Sequence, residues 1–103
     1  MNNYLSGRIP TVESLQGVWR VKMWGWWRFM RLDRKVIAGS RGYNVFLGLR
    51  WGAFSVKDMH DSISLVYDNG RIIDYLRIRE NRIIGSFTKN GKYKAMFMLE
   101  KIA

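Results

Sequence analysis

Ser62-Ile63-Ser64-Leu65-Val66-Tyr67-Asp68-Asn69-Gly70-Arg71-Ile72-Ile73-Asp74-Tyr75-Leu76-Arg77-Ile78-Arg79-Glu80-Asn81-Arg82 opens the stretch that decides the fold. Residues 62–67 alternate mostly polar and apolar, the period of a strand with one buried face. Asp68-Asn69-Gly70 then supplies tight-turn chemistry, because Asn and Gly tolerate the left-handed backbone that a hairpin needs. Arg71 to Arg79 reads as the returning strand and turns at Glu80-Asn81. Arg82 to Thr88 follows, and Asn90-Gly91 turns the chain into a last strand from Lys92 to Lys101. This is a four-strand antiparallel meander with turn residues at every corner.

Pleat alternation assigns its faces. The inward set is Ile63, Leu65 and Tyr67; Ile72, Asp74, Leu76 and Ile78; Ile83, Gly85 and Phe87; and Tyr93, Ala95, Phe97 and Leu99. Arg71, Arg77, Arg79, Arg82, Lys92 and Lys94 point outward. Asp74 is the residue out of place. A carboxylate on an apolar face must be paired, hydrogen-bonded or protonated, since an isolated buried charge is very costly.

Working outward to the first half, residues 16–23, 26–32, 34–38, 43–48 and 50–57 read as strands separated by glycines at 25, 39, 42 and 48. Thr11 is placed to cap one short helical turn through Leu15. Eight to ten short strands without a long helix leave a barrel or a sandwich. Successive hairpins favour a small antiparallel up-and-down β-barrel, which removes exposed edges by closing. The expectation is therefore all-β, with residues 1–103 as one domain and 1–10 as a flexible arm.

Composition narrows the function classes. A chain of 103 residues has room for one core, and 48% hydrophobic residues exclude a disordered chain. No cysteine and a single histidine, His60, exclude a disulfide scaffold, a thiolate cluster or a multi-histidine zinc site within one chain. No apolar run approaches bilayer-spanning length and no secretory signal is apparent, so a cytoplasmic location is expected. No metal or cofactor is expected, and the oligomeric state is left open.

The net charge of +10 is uneven. Residues 11–57 hold nine bases against Glu13 and Asp33, and all five tryptophans precede residue 52. Such an excess suits an anionic partner, and it also keeps a small protein in solution. Within it, Trp24, Trp26, Arg28 and Arg31 have the composition of a face that stacks bases or meets an anionic membrane surface.

Leu15-Gln16-Gly17-Val18-Trp19 resembles the opening of a lipocalin, in which Gly-x-Trp follows a short helical turn. Leu65-Val66-Tyr67-Asp68, Ile72-Ile73-Asp74-Tyr75-Leu76-Arg77, Ile84-Gly85, Gly91-Lys92 and Phe97-x-Leu99 extend the likeness to a lipocalin-like (calycin-type) family with no assigned reaction. The similarity spans residues 15–102 and departs at Val21, where the family's second glycine would stand. The resemblance implies a barrel and ligand binding. It also implies that Gly17 and Trp19 close one end, with a basic side chain from the last strand, Lys101, over the indole.

The primary functional expectation is a barrel that takes a small apolar or amphipathic ligand. Asp74, Tyr67 and Tyr93 would contact it from one wall, and Trp27, Phe46 and Phe54 from the other. In the competing structural reading, Asp74 is hydrogen-bonded to a neighbouring tyrosine or arginine and the aromatics fill the core. The alternative function is a nucleic-acid or anionic-surface module using the first-half basic face; a small barrel enzyme is the third. For the last, Asp58-Met59-His60-Asp61 offers an imidazole between carboxylates, a general base or two or three metal ligands, though Asp and His at a strand junction are more often simply residues of a wet loop.

Overall fold

A computed structural model describes residues 7–23, 34–59 and 61–103. It is a closed antiparallel barrel of eight strands in sequence order, β1 to β8. These are β1 (Gly17–Met23), β2 (Arg34–Ala38), β3 (Arg41–Phe46), β4 (Leu49–Met59), β5 (Ser62–Tyr67), β6 (Ile72–Arg79), β7 (Arg82–Lys89) and β8 (Lys92–Lys101). The expected strand over 26–32 lies outside the described residues. No helix among the described residues is long and apolar enough to cross a membrane.

The turn chemistry of the second half acts as read. Glu80, Asn81, Asn90, Gly70 and Gly91 all adopt positive φ at the hairpin corners. The Asn69 side-chain oxygen accepts from the Arg71 and Ile72 amides at 2.8 and 3.2 Å, which turns the chain into β6. Before β1, residues Glu13–Leu15 form one 3-10 turn. Thr11 Oγ1 accepts from the Ser14 amide at 3.1 Å, satisfying an amide at the start of that turn.

Closure is made by β1 pairing with β8, with Trp19 opposite Lys101 and Met23 opposite Phe97. The inward faces then meet in one core containing Leu15, Trp19, Val21, Ile37, Phe54, Ile63, Leu65, Leu76, Phe97 and Leu99. Each such side chain contributes about 1.5–3 kcal/mol through burial before entropic losses. Gly85 makes room at the centre of β7: a Cβ there would collide with the Phe97 ring. A glycine is thus needed where Phe97 crosses the barrel.

Two bulges set the exceptions to simple alternation. In β8 one extra residue lies between Tyr93, opposite Thr88, and Ala95, opposite Phe87. Inward parity is lost at that point, and Tyr93, expected inside, is 37% exposed. In β4 the register shifts opposite Gly42 and Asn44, where Gly52 takes φ +62°.

The N-terminal arm is tied down where it is described. Arg8 forms a two-hydrogen-bond bridge with Ile78 of β6, at 2.9 and 2.7 Å. Gly7, at φ +113°, sits so close to the Ile78 carbonyl that a Cβ would collide with it.

Candidate functional site

β2 carries Arg34-Lys35-Val36-Ile37-Ala38, and alternation puts Lys35 on the face that buries Ile37. The Lys35 ammonium therefore enters the apolar interior. There it meets Asp74 from β6, Tyr67 from β5 and Asn44 from β3. Lys35 and Asp74 are 1% and 2% exposed, Asn44 is fully buried, and Tyr67 is 4% exposed.

The network is nearly saturated. Lys35 Nζ donates to Asn44 Oδ1 at 2.7 Å, to the Tyr67 hydroxyl at 2.8 Å and to Asp74 Oδ2 at 3.3 Å. These use the three protons of an ammonium. The Tyr67 oxygen also accepts from Asn44 Nδ2 at 2.9 Å, and its own proton goes to Asp74 Oδ2 at 3.0 Å. Asp74 Oδ1 is the one buried side-chain polar atom left without a partner among the described residues.

Aromatic rings replace much of the water that the ammonium has lost. Lys35 Nζ lies 5.0 Å from the Phe54 ring centroid, 5.4 Å from that of Tyr67 and 5.7 Å from that of Phe97. Each ring face presents negative quadrupole charge to the cation. Phe54 and Tyr67 also pack tilted at 5.3 Å.

Burial dominates the electrostatics. It pushes the Lys35 ammonium below its ordinary value, while the Asp74 charge and hydrogen bond pull the other way. It pushes the Asp74 carboxyl up, opposed by the Lys35 charge and the hydrogen bonds from Tyr67 and Lys35. The Tyr67 phenol is held well above its usual range by burial and then by the adjacent carboxylate. The hydrogen-bond pattern itself matches the ionised pair, since every Lys35 proton and the Tyr67 proton find an acceptor.

Of the residues singled out from sequence, Asp74, Tyr67 and Phe54 come together in this cluster. Tyr93 does not join them, because the β8 bulge turns it to the outside. Phe46 keeps the parity of Asn44, but it belongs to the last pair before the Leu47-Gly48 turn and is 39% exposed at the rim. Trp27, Trp24, Trp26, Arg28, Arg31 and His60 lie outside the described residues. Lys35 and Asn44 were missed. Their signal was the shared parity of Lys35 with Ile37, combined with the need of Asp74 for a countercharge.

At the barrel end near the 3-10 turn, Trp19 Nε1 donates to the Leu15 carbonyl at 2.9 Å. Lys101 Nζ stands 5.5 Å from the Trp19 ring centroid. Val18 pairs with the C-terminal residues through bonds from its amide to the Ala103 carbonyl and from the Ile102 amide to its own carbonyl. Gly17 takes φ +126° beside them.

Concave surfaces also occur on the outside of the barrel. One groove of about 550 Å³ runs between Arg8, Trp19, Lys22, Asn81, Arg82 and Lys101. Another, of about 460 Å³, includes Tyr43, Arg50 and Trp51, with the Arg50 guanidinium 4.2 Å from the Tyr43 ring centroid. No group of three or more His, Cys, Asp or Glu among the described residues is arranged to hold a metal.

The sequence matches no family model, and comparisons with curated proteins and with solved structures find no match.

Proposed function

We propose that the barrel binds a small amphipathic molecule, with the Lys35–Asp74–Tyr67–Asn44 cluster as its polar anchor. The observation that carries this reading is the unpartnered Oδ1 of Asp74, a carboxylate only 2% exposed. A buried ion pair is a poor device for stability alone, because well-packed apolar residues in its place are often as stable or more so. An orphaned buried acceptor adds a further cost of about 1–3 kcal/mol. A ligand hydroxyl, amide or amine donating to Oδ1 offsets that cost, while its apolar body packs against the Phe54 and Phe97 rings.

Such a ligand is small, since the Phe54, Tyr67 and Phe97 rings already stand within 5.7 Å of the Lys35 ammonium. The lipocalin-like resemblance supports the same class of function without naming a ligand. The anionic-partner reading built on Trp24, Trp26, Arg28 and Arg31 rests on residues outside those described, and no reaction is assigned.

Native mass spectrometry of freshly purified protein, followed by denaturation and extraction, tests the proposal. A discrete adduct that is released on denaturation, and is lost in Asp74→Asn while the fold is retained, supports it. A bare mass in the wild-type protein, with no uptake from a library of small amphipathic alcohols and amines, overturns it and leaves the cluster a structural one.

A further inference from the structure

We propose that the outer groove bounded by Arg8, Lys22, Arg82 and Lys101 is a binding site for a small molecule bearing a multiply charged phosphate group. Four basic side chains line it against one carboxylate, Glu100. That carboxylate is already engaged by Arg20 at 3.0 Å and Lys22 at 3.3 Å, which together hold it below its ordinary value. Among the described residues no carboxylate lies within ion-pair distance of Arg8, Arg82 or Lys101. Arg82 donates to the Met98 thioether at 3.8 Å, a weak acceptor.

The fold concentrates these cations rather than scattering them. The Arg8–Ile78 bridge delivers Arg8 to the barrel wall, and only a glycine at position 7 permits that close approach. Asn81 on the groove wall adds a neutral amide side chain.

Phosphate suits this arrangement because planar guanidinium groups bind its oxygens in bidentate fashion. The volume of about 550 Å³ is that of a small-molecule site. Trp19, the groove's aromatic, is 6% exposed, so it offers no open face on which bases would stack. These features favour a small phosphate ligand over a nucleic-acid strand.

The test is calorimetric titration of the intact chain with inorganic tripolyphosphate at low ionic strength, with a single-stranded oligothymidylate as a parallel arm. Wild-type protein should bind tripolyphosphate saturably at one site. Arg8→Gln and Arg82→Gln should each weaken it roughly tenfold, the loss of one charge-assisted contact. The double variant Arg71→Gln/Lys92→Gln removes two charges away from the groove and should change affinity by about twofold or less, through screened long-range attraction alone. Circular dichroism of each variant confirms that the fold is kept. Absence of saturable binding, or an equal loss in the control variant, overturns the proposal. Oligothymidylate binding without tripolyphosphate binding overturns it too.

Discussion

The Tyr67 hydroxyl donates to Oδ2 of Asp74, the same oxygen that receives the Lys35 ammonium, and the other carboxylate oxygen has no partner. Tyr67 therefore links β5, β6, β2 and β3 through one oxygen atom, accepting twice and donating once. Tyr67→Phe should leave Asn44 Nδ2 and one Lys35 proton without an acceptor. A loss of about 1–3 kcal/mol in urea unfolding is expected, with the barrel's circular dichroism preserved.

Removing one charge and removing both should have opposite consequences. Lys35→Met leaves Asp74 alone in an apolar interior and should cost about 3–5 kcal/mol. Lys35→Met combined with Asp74→Leu should recover most of that loss, or exceed wild type. A double variant as unstable as the single would show that the pair contributes net stability. Chemical denaturation of the three proteins decides between them.

The pH dependence of the same comparison has a definite sign. Asp74 is raised above its ordinary 3.8, so in the window just above 3.8 the folded chain holds a proton that the unfolded chain has released. The pair's contribution to stability therefore falls as pH climbs through that window. Lys35 is lowered from 10.5, so in the window below 10.5 the unfolded chain holds the extra proton and the contribution rises with pH. Stability of wild type minus that of the double variant, followed by urea unfolding across pH, should show a trough between the two windows. A peak there would mean that mutual attraction outweighs burial for both groups.

Gly85→Ala should destabilise by about 1–3 kcal/mol, because the added methyl meets the Phe97 ring inside the barrel. Phe97→Leu in the same chain should relieve part of that loss. Additive losses in the double variant, read by thermal unfolding, would place the strain elsewhere.

The second half of the chain was legible because its corners are chemically distinctive. Asp68-Asn69-Gly70, Glu80-Asn81 and Asn90-Gly91 each bring residues able to take positive φ, and alternation between them sorts Ile63, Leu65, Leu76, Phe97 and Leu99 correctly. Tyr93 was assigned to the wrong face because a bulge leaves no trace in the residue pattern: Lys92-Tyr93-Lys94-Ala95 alternates without a break. Phe46 has inward parity, but parity carries no information about depth along the barrel axis. Asp74 announced itself as a buried carboxylate. Its counterion did not, because Lys35 sits beside Arg34 in a basic stretch and looks like one more solvated charge. Only closure of the sheet brings β2 across the interior to β6.

That closure has a consequence for how the protein folds. Every other pairing among the described strands joins sequence neighbours, but the seam joins β1 to β8, the first and last strands of the barrel. Until β8 docks on β1, β1 through β7 form an open sheet with two unpaired edges, and the loop closed by the seam spans every strand between. An unsealed barrel is therefore open to strand addition from other chains, and so non-local a seam is expected to close slowly.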